Sequence, residues 1–222
     1  MGRLIGVDEA GRGPVIGSLF VGAVSVPDRR VLPESVDDSK VLTPATRAEL
    51  AKQLTDQDAI RTTVAELTVE TIDESHRSLT ELIAETFATV INRLGEPGDR
   101  VITDAGEADT DRFDHRVEQH LTTLVDLKSQ IKADANDPLV GAASILAKEA
   151  REAHVRELTT AYGQIGSGYP SDPKTRRFLV EYVEETNELP ACARRSWSTS
   201  QDVLAAVAQS SFDEFIRMDH PE

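Results

Sequence analysis

Apolar residues open the chain as a nearly unbroken run, and the spacing predicts a buried strand over residues 3–8. It runs into Asp8-Glu9-Ala10-Gly11-Arg12-Gly13-Pro14, where three breakers in four positions mark a tight loop. A second apolar run, 16–26, predicts another strand. Shorter runs at 59–67, 100–103 and 121–127 bring the expected strands to five. Thr43-Pro44 has the form of an N-cap followed by proline in the first turn, so a helix is expected over 44–55. Apolar positions recur at helical spacing over 80–94, and Gly95 stops them. A polar helix is expected at 109–120 and a long one at 137–162, closing at Gly163. A Gly/Ser/Pro loop follows at 164–171, then helices at 171–187 and 199–217. Strands dominate early, alternate with helices in the middle and give way to helices at the end. That order predicts an α/β protein with a mixed five-stranded sheet flanked by helices and a helical C-terminal extension. The expected division is a core over 1–163 and an extension over 164–222 packed on it.

Composition narrows the setting. The chain has 222 residues, 39% of them hydrophobic, enough for one substantial core. No run reaches the ~20 apolar residues that a membrane helix needs, and the N-terminus turns acidic too soon for a secretory signal. The expectation is a soluble cytoplasmic monomer with no membrane role. Cys192 is the only cysteine, which excludes an intrachain disulfide and a thiolate metal cluster. The formal net charge is −15, and phosphate binders are usually basic. Yet only six of the 24 basic residues are lysine, and an acid-rich, lysine-poor surface suits molar salt. A halophilic source is therefore expected. At ~1 M salt the Debye length is only ~3 Å, so long-range repulsion of a polyanion vanishes and short contacts decide binding.

Acidic residues stand next to glycine or alanine at three predicted element ends: Asp8-Glu9, Asp104 and Asp134. Sites gather at strand ends in α/β sheets, and small neighbours leave room for a ligand. Taken singly, any one of 39 acids is by default a solvated surface carboxylate. If these four converge, each raises its neighbours' pKa, and divalent cations with a preference for hard oxygen ligands, Mg²⁺ or Mn²⁺, relieve the conflict. One difficulty is that adjacent strand residues point to opposite faces. Asp8 and Glu9 cannot both reach a site from a regular strand, and the glycines at 11 and 13 are expected to allow a departure from it.

The segments Asp8 to Pro14, Asp38-Ser39-Lys40, Ile102 to Ala105, Lys132-Ala133-Asp134, Ala142 to Lys148 and Gly168 to Pro173 occur in this order. Together they resemble ribonuclease HII, in its archaeal form. Ser171-Asp172-Pro173 and the late Arg195-Ser196-Trp197 are similar to archaeal members. The resemblance spans roughly residues 3–200. It implies an RNase H-like fold and a quartet of metal-binding catalytic acids, Asp8, Glu9, Asp104 and Asp134, holding two divalent ions. It implies an endonuclease that cuts the RNA strand of RNA–DNA hybrids and cuts 5′ of ribonucleotides embedded in duplex DNA. The products would carry 3′-hydroxyl and 5′-phosphate ends.

Substrate contacts are expected from the same motifs. Gly11-Arg12-Gly13 resembles the family's ribose-sensing loop, and glycines there let backbone groups approach the 2′-hydroxyl that separates RNA from DNA. Tyr169, in a Gly/Pro loop, matches the tyrosine that stacks on the junction sugar. Lys40 resembles a phosphate-binding lysine. Ser144, Lys148 and Arg151, spaced by four and three, share a helix face that can track a phosphate backbone. The histidines read as surface or satisfied groups, the acids of 107–114 as a solvated face, and Trp197 as packing. Two competing readings are another RNase H-like nuclease of the resolvase type and a non-catalytic hybrid-binding module.

Overall fold

The computed structural model describes residues 2–34, 36 and 43–219, with side chains up to Ser210. Lys40 lies outside the described residues. The strands are β1 (Leu4–Ala10), β2 (Leu19–Val26), β3 (Arg61–Leu67), β4 (Arg100–Asp104) and β5 (Asp126–Gln130). The helices are α1 (Pro44–Asp56), α2 (Val69–Glu74), α3 (Leu79–Leu94), α4 (Thr110–Glu118), α5 (Ala133–Asn136), α6 (Pro138–Tyr162), α7 (Pro173–Thr186) and α8 (Ser198–Asp219). The chain divides into two compact units. The first takes Met1–Arg12, Leu19–Leu67 and Ser75–Ala153; the second takes Gly13–Ser18, Thr68–Glu74 and His154–Glu222.

The first unit carries the mixed five-stranded sheet, in the order β3-β2-β1-β4-β5. β2 runs antiparallel to β1 and β3, while β4 is parallel to β1 and β5. β2 is buried along its whole length, as a strand covered on both faces must be. One face belongs to α6. A Cβ on Gly6 would lie 2.4 Å from the Leu139 carbonyl oxygen, and one on Gly22 would lie 2.5 Å from that of Ala143. Glycine at both positions lets the α6 backbone lie directly on the sheet. Contacts of α3 with β1, β2 and β3 place it against the sheet as well. α3 starts with the Ser78/Glu81 capping box and ends at Gly95. Thr43 caps α1 with Pro44 in the first turn, as its sequence predicts.

The second unit buries Val15, Ile16, Ile165, Leu179, Val183 and Cys192 in one cluster. Burial pushes the Cys192 thiol up to about 12, so it is an inert part of the core. The 13–18 segment is tied down by backbone bonds: Val15 and Ile16 donate to the Gly168 carbonyl, and Gly17 donates to that of Cys192. Arg194, fully buried, donates from Nε to the Gly17 carbonyl at 2.9 Å. Its guanidinium carbon stands 4.7 Å from the Trp197 ring centroid. Trp197 packs against the apolar cluster, the packing role expected of it. Among the described residues no helix is long and apolar enough to cross a membrane.

Three expectations need correction. β5 covers 126–130 rather than 121–127. Its place is set by pairing with β4, with Arg100 opposite Asp126 and the Asp126 N–H on the Asp99 carbonyl at 2.8 Å. Leu124, inside the predicted run, is 86% exposed. β2 starts at Leu19, because Gly17 takes a left-handed φ of 86° and Ile16 bridges to Ala193 instead. β1 keeps its ladder through both acids to the pair Ala10–Phe20, and the chain departs only at Gly11, φ 98°. The helices α2 and α5 were not expected, since six and four residues are too few to show a period.

Candidate functional site

The four acids lie in the first unit, at one end of the parallel strands. β1 and β4 pair as far as Val7 with Thr103, and one further step of that register sets Asp8 beside Asp104. Asp8 shares the face of Gly6, toward α6, and Glu9 leaves on the opposite face. Asp134 arrives differently. Lys132 adopts the left-handed conformation (φ 56°, ψ 39°), which swings the chain from β5 into α5. That turn aims the Ala133 N–H at Asp104 Oδ1, 2.6 Å away, and places Asp134 in the first turn of α5.

Three of these acids, Asp8, Glu9 and Asp104, are raised by burial and by neighbouring acidic charge. Burial raises Asp8 well above the ordinary aspartate value, and the charges of Glu9 and Asp104 raise it further. Ser144, buried on α6, pulls the other way. Glu9 rises to about 7, first through burial, with Asp104 and Asp134 adding to the rise and Arg12 opposing it. Asp104 is raised chiefly by burial and also by Asp134, against the Ala133 and Asp134 N–H groups and Lys148. Glu9 Oε2 is buried with no hydrogen-bond partner. A buried carboxylate oxygen in that state is costly unless a cation takes it.

Donor chemistry therefore fits a hard divalent cation: carboxylate oxygens, raised pKa values and one oxygen without a partner. As they stand, no three His, Cys, Asp or Glu side chains among the described residues are disposed to hold one ion. Uncompensated like charges repel, and Glu9 instead faces the Arg12 guanidinium at 3.7 Å.

The model of the family described as ribonuclease HII matches residues 5–200 of this chain. A curated ribonuclease HII of Haloarcula marismortui is 48% identical over 95% of this chain and 99% of its own length. The chain belongs to the ribonuclease HII family. It is accordingly a ribonuclease H enzyme. A second ribonuclease HII, from Natronomonas pharaonis, is 44% identical over 97% of this chain and all of its own. These relatives come from halophilic archaea, in line with the acidic, lysine-poor composition. The crystal structure of ribonuclease H2 from Pyrococcus horikoshii superposes with a TM-score of 0.85 at 36% identity, covering 93% of this chain and 99% of that one. The RNase H-like fold is thereby shared across the sheet and the C-terminal helices.

The other candidates of this family member divide between the units. Gly11 and Arg12 close the first segment of the acid-bearing unit, and Ser144 and Lys148 lie on α6 beside the acids. Lys148 is near enough to Asp104 to hold its pKa down. Gly13 and Tyr169 belong to the second unit and adjoin one another: a Cβ on Gly13 would lie 3.5 Å from the Tyr169 ring. Tyr169 is 40% exposed, an aromatic surface open to a ligand.

The acids read as surface groups are exposed or half-buried, and several of them have partners. Asp109 caps α4, Asp114 accepts the Ser129 N–H at 2.8 Å, and Glu107 pairs with Arg116 at 3.0 Å. His154, expected to be satisfied, accepts the Ser18 N–H at 3.2 Å. Sequence reasoning missed Thr80 and Gly106, which contact Arg12. No local signal marks them, because both are 68 or more positions away from it.

Proposed function

We propose that the protein is an endonuclease that hydrolyses the RNA strand of RNA–DNA hybrids and cuts 5′ of single ribonucleotides in duplex DNA, leaving 3′-hydroxyl and 5′-phosphate ends. Family membership supports the hybrid as substrate. The observation that carries the mechanism is the crowding of acids at one sheet end, where the charges of Glu9 and Asp104 reach Asp8 and those of Asp104 and Asp134 reach Glu9, which is raised to about 7 and has one oxygen without a partner. These four side chains would hold two divalent ions, Mg²⁺ or Mn²⁺. When bound, such ions supply activation of the attacking water and stabilisation of the leaving 3′ oxygen in in-line phosphodiester hydrolysis.

The chain's own residues do the rest. The Ala133 N–H fixes Asp104 Oδ1 and so restrains the orientation of this carboxylate. Lys148, beside Asp104, supplies positive charge where a phosphate backbone would approach. Gly11, Arg12 and Gly13 bring backbone groups near the ribose, whose 2′-hydroxyl is the group that selects RNA over DNA. Tyr169, exposed next to Gly13, offers a flat face for the junction sugar.

An end-labelled duplex containing one ribonucleotide, incubated with Mg²⁺ or Mn²⁺ in ~2 M KCl, tests the proposal against an all-DNA control. Cleavage 5′ of the ribonucleotide with no cut in the control is expected. Equal cutting of both duplexes would favour a resolvase-like nuclease, and tight binding without cleavage a hybrid-binding module.

A further inference from the structure

Arg12 occupies a defined seat in the first unit. Its Nη2 donates to Thr80 Oγ1 at 3.0 Å, and its Nη1 donates to the Gly106 carbonyl and stands 3.7 Å from Glu9. Gly106 has no room to be anything else. A Cβ there would lie 2.8 Å from the Phe113 ring and 3.3 Å from Arg12 Nη1. Phe113 is itself fully buried, edge-on to Phe87 with centroids 5.3 Å apart. The carbonyl that receives Arg12 is therefore backed by the core.

Thr80 lies in the first turn of α3, immediately after Leu79. A helix N-terminus carries partial positive charge and disfavours a cation. The acid of that turn, Glu81, is engaged by Ser78 and by Arg116. Arg12 is drawn there by Glu9, and two further oxygens, from distant parts of the chain, converge on it. The Arg12 side chain still keeps 41% of its surface exposed. A guanidinium held by two N–H groups on a partly exposed side chain is preorganised to meet an anionic oxygen.

We propose that Thr80, through its hydroxyl, and the Gly106 carbonyl are positioning groups that hold Arg12 in the orientation in which it contacts the phosphate or ribose of the cleaved strand. This rests on the nuclease reading above, in which Arg12 is a substrate contact. The hydroxyl fixes one edge of the guanidinium, and the carbonyl fixes the other. Loss of either lets the side chain sample many rotamers, and binding must then order it again.

The test is a double-mutant cycle on the full chain, with Thr80→Val, Thr80→Ser, Arg12→Ala and Thr80→Val/Arg12→Ala. Two quantities are read: the affinity for a labelled RNA–DNA hybrid in EDTA, and KM and kcat with metal. A hydrogen bond to a charged group corresponds to a change of roughly tenfold. Thr80→Val should thus weaken binding and raise KM by roughly tenfold, with kcat within about twofold of wild type. Thr80→Ser, which keeps the hydroxyl, should restore both. In the Arg12→Ala background, Thr80→Val should add nothing. Additive losses, or a Thr80→Val protein that binds like wild type, would overturn the proposal. If the wild-type protein neither binds nor cuts the hybrid, the nuclease reading fails. The cradle is then judged by the same cycle in urea unfolding, where zero coupling between Thr80 and Arg12 overturns it too.

Discussion

Removing the charge of Glu9 should make the metal-free protein more stable. Its carboxyl is raised from 4.5 to about 7, mainly because the side chain is only 12% exposed and faces other acids. Between those two values the folded state binds more protons than the unfolded state. Unfolding free energy therefore falls as pH rises through this window, and above about pH 7 the full cost of the charge is present. At 1.36 kcal/mol per unit, the shift corresponds to roughly 3 kcal/mol. Glu9→Gln keeps the shape and removes the charge, and its new amide can donate toward Asp104 and Asp134, the negative groups that raise Glu9. In ~2 M KCl with EDTA, urea unfolding should show the variant more stable than wild type by roughly 3 kcal/mol at pH 8. The gap should close near pH 4, where both side chains are neutral. Adding Mg²⁺ at pH 8 should narrow it, since a cation bound to the native state stabilises only the charged form strongly. A variant that is no more stable than wild type at pH 8, or a gap that does not depend on pH, would refute the argument that uncompensated charge is stored at this sheet end.

Other consequences can be checked separately. Asp134→Asn should leave the far-ultraviolet spectrum and melting temperature near wild type and abolish most cleavage; unchanged rates would remove it from the ligand set. Tyr169→Ala should reduce cleavage at a single embedded ribonucleotide more than cleavage of a long hybrid, and equal losses in the two assays would count against stacking at the junction. Gly6→Ala should destabilise the fold by roughly 2 kcal/mol or more in urea unfolding, since its Cβ would meet the α6 backbone at 2.4 Å and overpacking of this kind costs 1–3 kcal/mol or more. Folding and activity should persist in ~2 M KCl, and loss of both there with full activity in dilute buffer would contradict the halophilic reading of the charge balance.

Much of this protein was legible along the chain. The helices α1, α3, α6, α7 and α8 declare themselves through local signals: Thr43-Pro44, the period ending at Gly95, the closing Gly163 and the loop before Pro173. Local chemistry suffices there because caps and periodicity act within a turn or two. The family, too, was carried by motifs in order. What the chain could not show is how Asp8 and Glu9 are disposed. The expected departure from strand geometry does not occur at them. β1 stays regular, Asp8 is set beside Asp104 by parallel pairing with a strand 96 residues away, and Glu9 leaves on the other face, against Arg12, while still feeling the charges of Asp104 and Asp134. Likewise β5 slid to 126–130, because an edge strand takes its register from the neighbour it pairs with rather than from its own apolar run. Asp104 is oriented by a backbone N–H that a left-handed Lys132 delivers, and Arg12 is seated by Thr80 and Gly106. Residue types and local spacing determined the family and which segments are helical. Only tertiary structure decided their charge states and partners, because burial and long-range pairing depend on segments that are distant in the chain and meet only in the fold.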